Sequence, residues 1–221
     1  MSEKRAVIFA NGDLADARAA RALLRPDDYL VAVDGGLRHL KRMGLNPHRL
    51  IGDLDSVGAT QLAELQNAGV QIERHPAEKD ETDLELALRA LLAEGYRQMR
   101  VVAALGGRLD QTLANLFLLE MPGLEQVDIR LDDGREEILI IRERAVVEGA
   151  PGDTLSLLAM NECTKGIVTQ GLKYPLNHET LCPNRTRGVS NEMLAEQAEI
   201  RLLTGRLLCV HTRHARAKAG N

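Results

Sequence analysis

From Arg5 to Asp133 the chain alternates between short apolar runs and segments whose apolar residues recur every three or four positions. The runs "RAVIFA", "YLVAVD", "HRLIG", "VQIERHP", "MRVVAAL" and "QVDIRLDD" have the length of strands. Between them lie "LADARAARALL", "GLRHLKRMG", "ATQLAELQNAG", "DETDLELALRALLAEG" and "DQTLANLFLLEM", whose spacing gathers leucine and alanine on one side of a helix. Gly69 and Gly95 stand where two of these helices should stop, in the capping position that glycine fills without steric cost. Strands alternating with helices of this length predict a parallel sheet covered by helices on both faces. The inner strands are nearly all apolar, as burial on both faces requires.

Near "DDGREE" the pattern changes. From Ile138 onward the runs are "EILIIRERAVVEG", "DTLSLLAM", "CTKGIVTQGL" and "AEIRLLTGRLLCVHT", short and divided by Gly, Pro and Asn. They carry little helical periodicity and predict an antiparallel sandwich or barrel. The expected fold class is therefore an α/β domain over residues 1–133, followed by a smaller C-terminal antiparallel β-sandwich over 134–221. There is no internal repeat and no low-complexity linker.

Composition narrows the function classes. The 221 residues are 44% hydrophobic and 27% charged, an ordinary globular mixture with enough chain for a sizeable core. A net charge of -4 leaves no basic footprint for nucleic acid. With no Trp, two Phe and three Tyr, a base-stacking platform is not expected. The start "MSEKRAVIFANGD" turns polar too early for a signal peptide, and no apolar run nears the roughly 20 residues that span a bilayer. Cys163, Cys182 and Cys209 are an odd, widely spaced set, so reduced thiols and a cytoplasmic setting are expected. His178 and Cys182 have no second pair with zinc-ligand spacing, and "HTRHARAKAGN" is expected to be a frayed end.

The chemistry concentrates just after the strands, where ligands bind in open parallel sheets. Asp34 ends one strand, and Gly35 and Gly36 open the next helix. Asp53 and Asp55 follow "RLIG", and Lys79, Asp80, Thr82 and Asp83 precede the long helix. Gly106, Gly107, Arg108 and Asp110 follow the fifth strand. Taken singly, Asp34 reads as a turn residue and Asp80 as an N-cap. In extended backbone, however, Asp53 and Asp55 would face one spot while Leu54 turns away. Two such charges about 4 Å apart repel by roughly 4 kcal/mol at an effective dielectric of about 20. Repulsion on that scale calls for a cation at Asp53, Asp55 and Asp83, or for protonation of some of them, and carboxylates without His or Cys favour Mg²⁺ over zinc. The glycines, Lys79 and Arg108 supply amide donors and positive charge for phosphates.

"VAVDGG", "IGDLDSV", "EKDETDLELAL" and "ALGGRLDQTLAN", in this order and spacing, resemble the thiamine pyrophosphokinase family. "GLKYPLNHETL" followed by "RGVSNE" resembles the family's β-domain signature, so the likeness runs from Asn11 to about Val210. The resemblance implies a homodimer with active sites at the subunit interface and Mg²⁺-dependent conversion of ATP and thiamine to thiamine diphosphate and AMP. It implies metal or phosphate-site carboxylates at Asp53, Asp55 and Asp83. It implies a nucleotide and transfer site from Asn11, Asp34, Gly35, Gly36, Lys79, Thr82, Gly107, Arg108 and Asp110, with Asp83 or Asp110 as proton acceptor. Gln111, Ser190 and Asn191 are implied thiamine contacts. Some members stack thiamine on a tryptophan, which this chain lacks, so no stacking residue is assigned. Two other readings of the residues are a phosphohydrolase built on "DLDS" and a nucleotide or thiamine sensor without turnover.

Overall fold

The computed structural model describes residues 4–55 and 57–214, and the chain divides into two compact units, Met1–Gly134 and Arg135–Asn221. In the first unit the strands are β1 (Arg5–Phe9), β2 (Tyr29–Val33), β3 (Arg49–Gly52), β4 (Gln71–Arg74), β5 (Gln98–Val102) and β6 (Asp128–Asp132). They pair in parallel in the order β6-β5-β1-β2-β3-β4. The helices are α1 (Ala17–Ala22), α2 (Leu37–Arg42), α3 (Ala59–Asn67), α4 (Asp83–Ala93) and α5 (Leu109–Leu118). Phe9, Leu40 and Leu50 are fully buried in the packing between sheet and helices. Each such side chain contributes about 1.5–3 kcal/mol by leaving water.

Because β1 lies between β2 and β5, the strand order reverses at β1, and the crevice beyond its C-terminal end is where such a sheet binds ligands. The α4 N-cap is Thr82, whose hydroxyl accepts the Glu85 N–H at 3.2 Å, and not Asp80. A threonine hydroxyl at that place satisfies one of the helix's orphan donors, which releases Asp83 to face the crevice.

The second unit consists of two antiparallel sheets. One has the order β12-β9-β14-β7, from Asn191–Glu192, Thr154–Ala159, Leu207–Thr212 and Glu136–Ile141. The other has the order β11-β10-β13-β8, from Asn177–Leu181, Thr164–Gln170, Gln197–Arg201 and Arg144–Glu148. Ile141, Leu155, Ile167, Ile200 and Leu207 form one core from both sheets, which makes this the expected sandwich.

Two expectations are corrected here. Cys163 and Cys182 form a disulfide, because the β10–β11 pairing sets Thr164 opposite Leu181 and so brings the flanking cysteines to a Cα–Cα distance of 4.1 Å. Cys182 is thereby committed and is not half of a zinc pair with His178, while Cys209 lies buried in β14. The C-terminal end is ordered further than expected, since β14 runs to Thr212 and His211 is fully buried. The rest of the expected frayed end, residues 215–221, lies outside the described residues.

Candidate active site

Three strand ends in the first unit turn sharply through left-handed backbone at residues other than glycine: Asp34 (φ 48°) after β2, Leu54 (φ 63°) after β3, and Ala103 (φ 56°) after β5. Such a conformation costs about 1–2 kcal/mol per residue and clusters at functional sites. The turn at Leu54 overturns the extended geometry expected for "DLD". Leu54 is buried, and the Asp53 carboxylate folds back to accept the Asp55 N–H at 3.0 Å. The short polar side chain satisfies its own turn in preference to continuing the strand. Asp55 is left exposed at the rim, 3.8 Å from the Arg74 guanidinium.

Of the residues expected at the site, Asn11, Asp34, Thr82, Asp83, Gly107, Arg108 and Gln111 line one cavity of about 530 Å³. That size falls in the range of small-molecule sites. Its floor is acidic. Burial, the charge and hydrogen bond of Asp83, and the charge of Asp53 together push the Asp34 carboxyl up to about 7, with Lys79 offsetting part of this. Asp34 Oδ1 is buried with no hydrogen-bond partner among the described residues. Lys79 Nζ lies 2.8 Å from Asp83 Oδ1 and donates to the Pro76 carbonyl at 3.0 Å. Lys79 thus pairs with Asp83 and offsets only part of the charge around Asp34, while Arg38 and Arg108 stand elsewhere on the cavity wall. Among the described residues no three carboxylates stand close enough together to hold a metal ion as they are placed, while the donors present, oxygens without His or Cys, are of the kind that suits Mg²⁺.

The glycines have separate tasks. A Cβ on Gly36 would come within 1.8 Å of the Phe9 carbonyl, so this residue allows α2 to start against β1. A Cβ on Gly35 would strike the Asn11 carboxamide. At the other lip, Arg108 holds Asp110 through two hydrogen bonds of 3.1 and 2.6 Å, and both side chains are exposed. The Arg108 hydrogen bond, with the Gln111 N–H, keeps the Asp110 carboxyl below the usual range.

The two residues expected at the site from the second unit differ. Ser190 is exposed in left-handed backbone (φ 59°), and its N–H donates to Ser156 Oγ. Asn191 is buried and inward-bonded: Oδ1 accepts the Tyr174 N–H at 3.0 Å, and Nδ2 donates to the Tyr174 carbonyl at 2.8 Å. Its amide fixes the backbone of Tyr174, a residue 54% exposed.

Asp13, Arg38 and Asn115 also belong to the cavity wall and were missed. Asp13 accepts the Gly107 N–H at 3.0 Å, and Asn115 donates to the Ala104 carbonyl at 2.7 Å. The signal was present for Asp13, since "ANGD" follows β1 as the other motifs follow their strands.

A crevice between glycine turns at the reversal of a parallel sheet, joined in one chain to a β-sandwich unit, defines an α/β protein with its ligand site beyond the strand ends. Comparison with known proteins gives the family. Residues 20–131 match the thiamin pyrophosphokinase catalytic domain and residues 138–207 the thiamin pyrophosphokinase vitamin B1 binding domain, so the chain belongs to the thiamin pyrophosphokinase family. The family's activity is transfer of a diphosphoryl group from ATP to thiamine.

A thiamine pyrophosphokinase of Bacillus subtilis is 27% identical over 184 residues, covering 82% of this chain and 86% of the relative. The crystal structure of thiamine pyrophosphokinase from Bacillus subtilis superposes with a TM-score of 0.85 at 24% identity, covering 96% and 100% of the two chains. That of thiamin pyrophosphokinase from Geobacillus thermodenitrificans gives 0.80 at 26%, covering 96% and 99%.

Proposed function

We propose that the acidic cavity binds ATP with Mg²⁺ and that the exposed surface around Ser190 and Tyr174 receives thiamine. The carboxylate cluster carries this reading, because Asp34, raised to about 7, gains most from an added cation. Asp34, Asp53 and Asp83 would hold the ion, with Asp55 at the rim. The ion would supply charge neutralisation at the transferring phosphate oxygens. Gly107 at the α5 start and the Arg108 guanidinium would meet phosphate oxygens, and Asn11 and Thr82 would place the nucleotide.

The thiamine hydroxyl would attack the β-phosphorus and AMP would leave, which asks the chain for alignment more than for covalent chemistry. Asp83 or Asp110 would accept the hydroxyl proton, each of them ion-paired, to Lys79 and to Arg108. In the second unit, Ser190 offers its hydroxyl and Tyr174 an exposed ring, which Asn191 holds in place from below.

The reading includes a homodimer in the cytoplasm, where ATP is supplied, with active sites at the subunit interface. Its support is exposed apolar surface in each unit. Leu109, Leu113 and Phe117 make an exposed stripe along α5 beside Arg108, and Tyr174, Val189 and Leu194 are exposed around Ser190. Among the described residues, no helix is long and apolar enough to cross a membrane. Incubation with Mg²⁺, thiamine and γ-labelled ATP tests the reaction. AMP and terminally labelled thiamine diphosphate are expected, whereas ADP with thiamine monophosphate, or free labelled phosphate, would refute it.

A further inference from the structure

Arg38 stands on α2 beside the cavity and spends its donors on the turn after β1. One terminal nitrogen, Nη2, donates to the carbonyls of Asn11 and Gly12, both at 3.0 Å, and Nη1 donates to Asn11 Oδ1. His39 Nε2 meets the same Gly12 carbonyl at 3.0 Å. Burial and the neighbouring Arg38 and Arg42 charges lower the His39 pKa against the pull of that carbonyl, so a neutral ring donates here. On its other side the turn is tied to the strand β5 exit, with the Gly12 N–H on the Ala103 carbonyl at 2.7 Å and the Asp13 N–H on the Leu105 carbonyl at 2.8 Å.

A guanidinium has donors and no acceptor, so the atom of the Asn11 amide that faces it must be the oxygen. The Nδ2 group is then the remaining polar end of Asn11, and Asn11 lines the cavity. We propose that Arg38 is a positioning residue that locks the Asn11 carboxamide as a hydrogen-bond donor toward an acceptor atom of the bound nucleotide. Gly35 belongs to the same device, since a Cβ there would lie 2.1 Å from Asn11 Oδ1 and 2.7 Å from Arg38 Nη1. The second residue of "DGG" is thus kept small by the Asn11–Arg38 pair, as the third is by the β1 backbone. The ligand half of this proposal rests on the nucleotide reading of the cavity; the clamp on the turn does not.

The test uses the full chain with Mg²⁺ and ATP as the probe. Arg38→Met frees the amide to rotate and should raise KM for ATP about two- to tenfold with a smaller change in kcat and none in KM for thiamine. Asn11→Asp keeps an acceptor toward Arg38 and removes the donor, so it should weaken ATP at least as much while leaving the melting temperature unchanged or higher. In the Arg38→Met background, Asn11→Ala should add little, because the amide is already unlocked. Arg38→Lys, which keeps one cationic donor group, should restore part of the ATP affinity.

An unchanged KM for ATP in Arg38→Met, normal ATP binding by Asn11→Asp, or strictly additive losses in the pair would overturn the proposal. Hydrogen exchange of the Gly12 and Asp13 amides should quicken in Arg38→Met, and unchanged exchange would overturn the clamp whatever the ligand. Failure of the unsubstituted protein to bind ATP would overturn the nucleotide reading and the donor role together, a result distinct from a change in exchange.

Discussion

Each unit buries carboxylates, and the two units treat them in opposite ways. In the sandwich, Asp153 accepts from the Ala150 N–H at 2.9 Å, the His214 N–H at 3.0 Å and His211 Nε2 at 3.0 Å. Burial pushes its carboxyl up, but the His214, His211 and Ala150 hydrogen bonds outweigh that and hold it below its ordinary value. In the α/β unit, Asp34 is half-buried with Asp83 and Asp53 for neighbours, and it rises to about 7. A buried charge whose lone pairs are all answered is structure. A charge left facing others of its own sign makes a candidate binding place.

Substitution separates these two roles. Asp53→Asn should lower turnover by about 10³-fold, the scale of losing a preorganised charge at a transferring group, while the metal-free fold stays intact. Steady-state kinetics at saturating Mg²⁺ with a thermal melt checks both halves, and near-normal turnover would remove Asp53 from the site. Asp153→Ala should do the reverse. Leaving His211 beside Glu137 without its second carboxylate should cost about 3 kcal/mol of stability, read by urea denaturation, with kcat preserved in the folded fraction.

The disulfide gives a control that touches neither carboxylate. Cys163→Ser should lower stability by about 2–3 kcal/mol under oxidising conditions, for a closure spanning 19 residues. With excess dithiol the variant and the unsubstituted chain should unfold together; a gap that persists would mean that the serine disturbs packing.

The smallest effect has the most informative sign. A carboxyl raised in the folded state binds more protons than its unfolded form between about 4 and about 7, so metal-free stability should fall as pH rises through that window. Discounted for solvent screening, the change is about 1–2 kcal/mol, and Asp34→Asn should flatten it. Asp153 slopes the other way: its depressed pKa gives stability that is present above about pH 4 and lost as pH falls through the folded value. Denaturation midpoints from pH 4 to 8 with and without Asp34→Asn would reveal the Asp34 slope; a stability that rises with pH in both would contradict it.

Much of this was legible in the sequence because period and position are local signals. The 3.6-residue and two-residue patterns placed all five helices of the first unit, and the change near Asp133 lies beside the break between units at Gly134. The rule that ligands sit beyond strand ends brought Asp34, Thr82, Asp83, Gly107 and Arg108 to one cavity. What escaped depends on backbone turns and distant pairing. Nothing in "DLD" announces left-handed backbone at Leu54, and the Cys163–Cys182 bond follows from a strand register set by the whole sandwich. Asn191 is implied as a thiamine contact by the family resemblance, and the hydrogen bonds of its amide to the Tyr174 backbone are a further task that the sequence does not announce.

Asp34 is the half-buried carboxylate that the proposed cation would relieve. Carboxyl carbon NMR of the chain, titrated with and without Mg²⁺, observes it directly. An Asp34 midpoint near 7 is expected without the ion, moving down by a unit or more and releasing protons at pH 6 when Mg²⁺ is added. A midpoint near 4 in the metal-free protein, or one that Mg²⁺ does not move, would contradict the account.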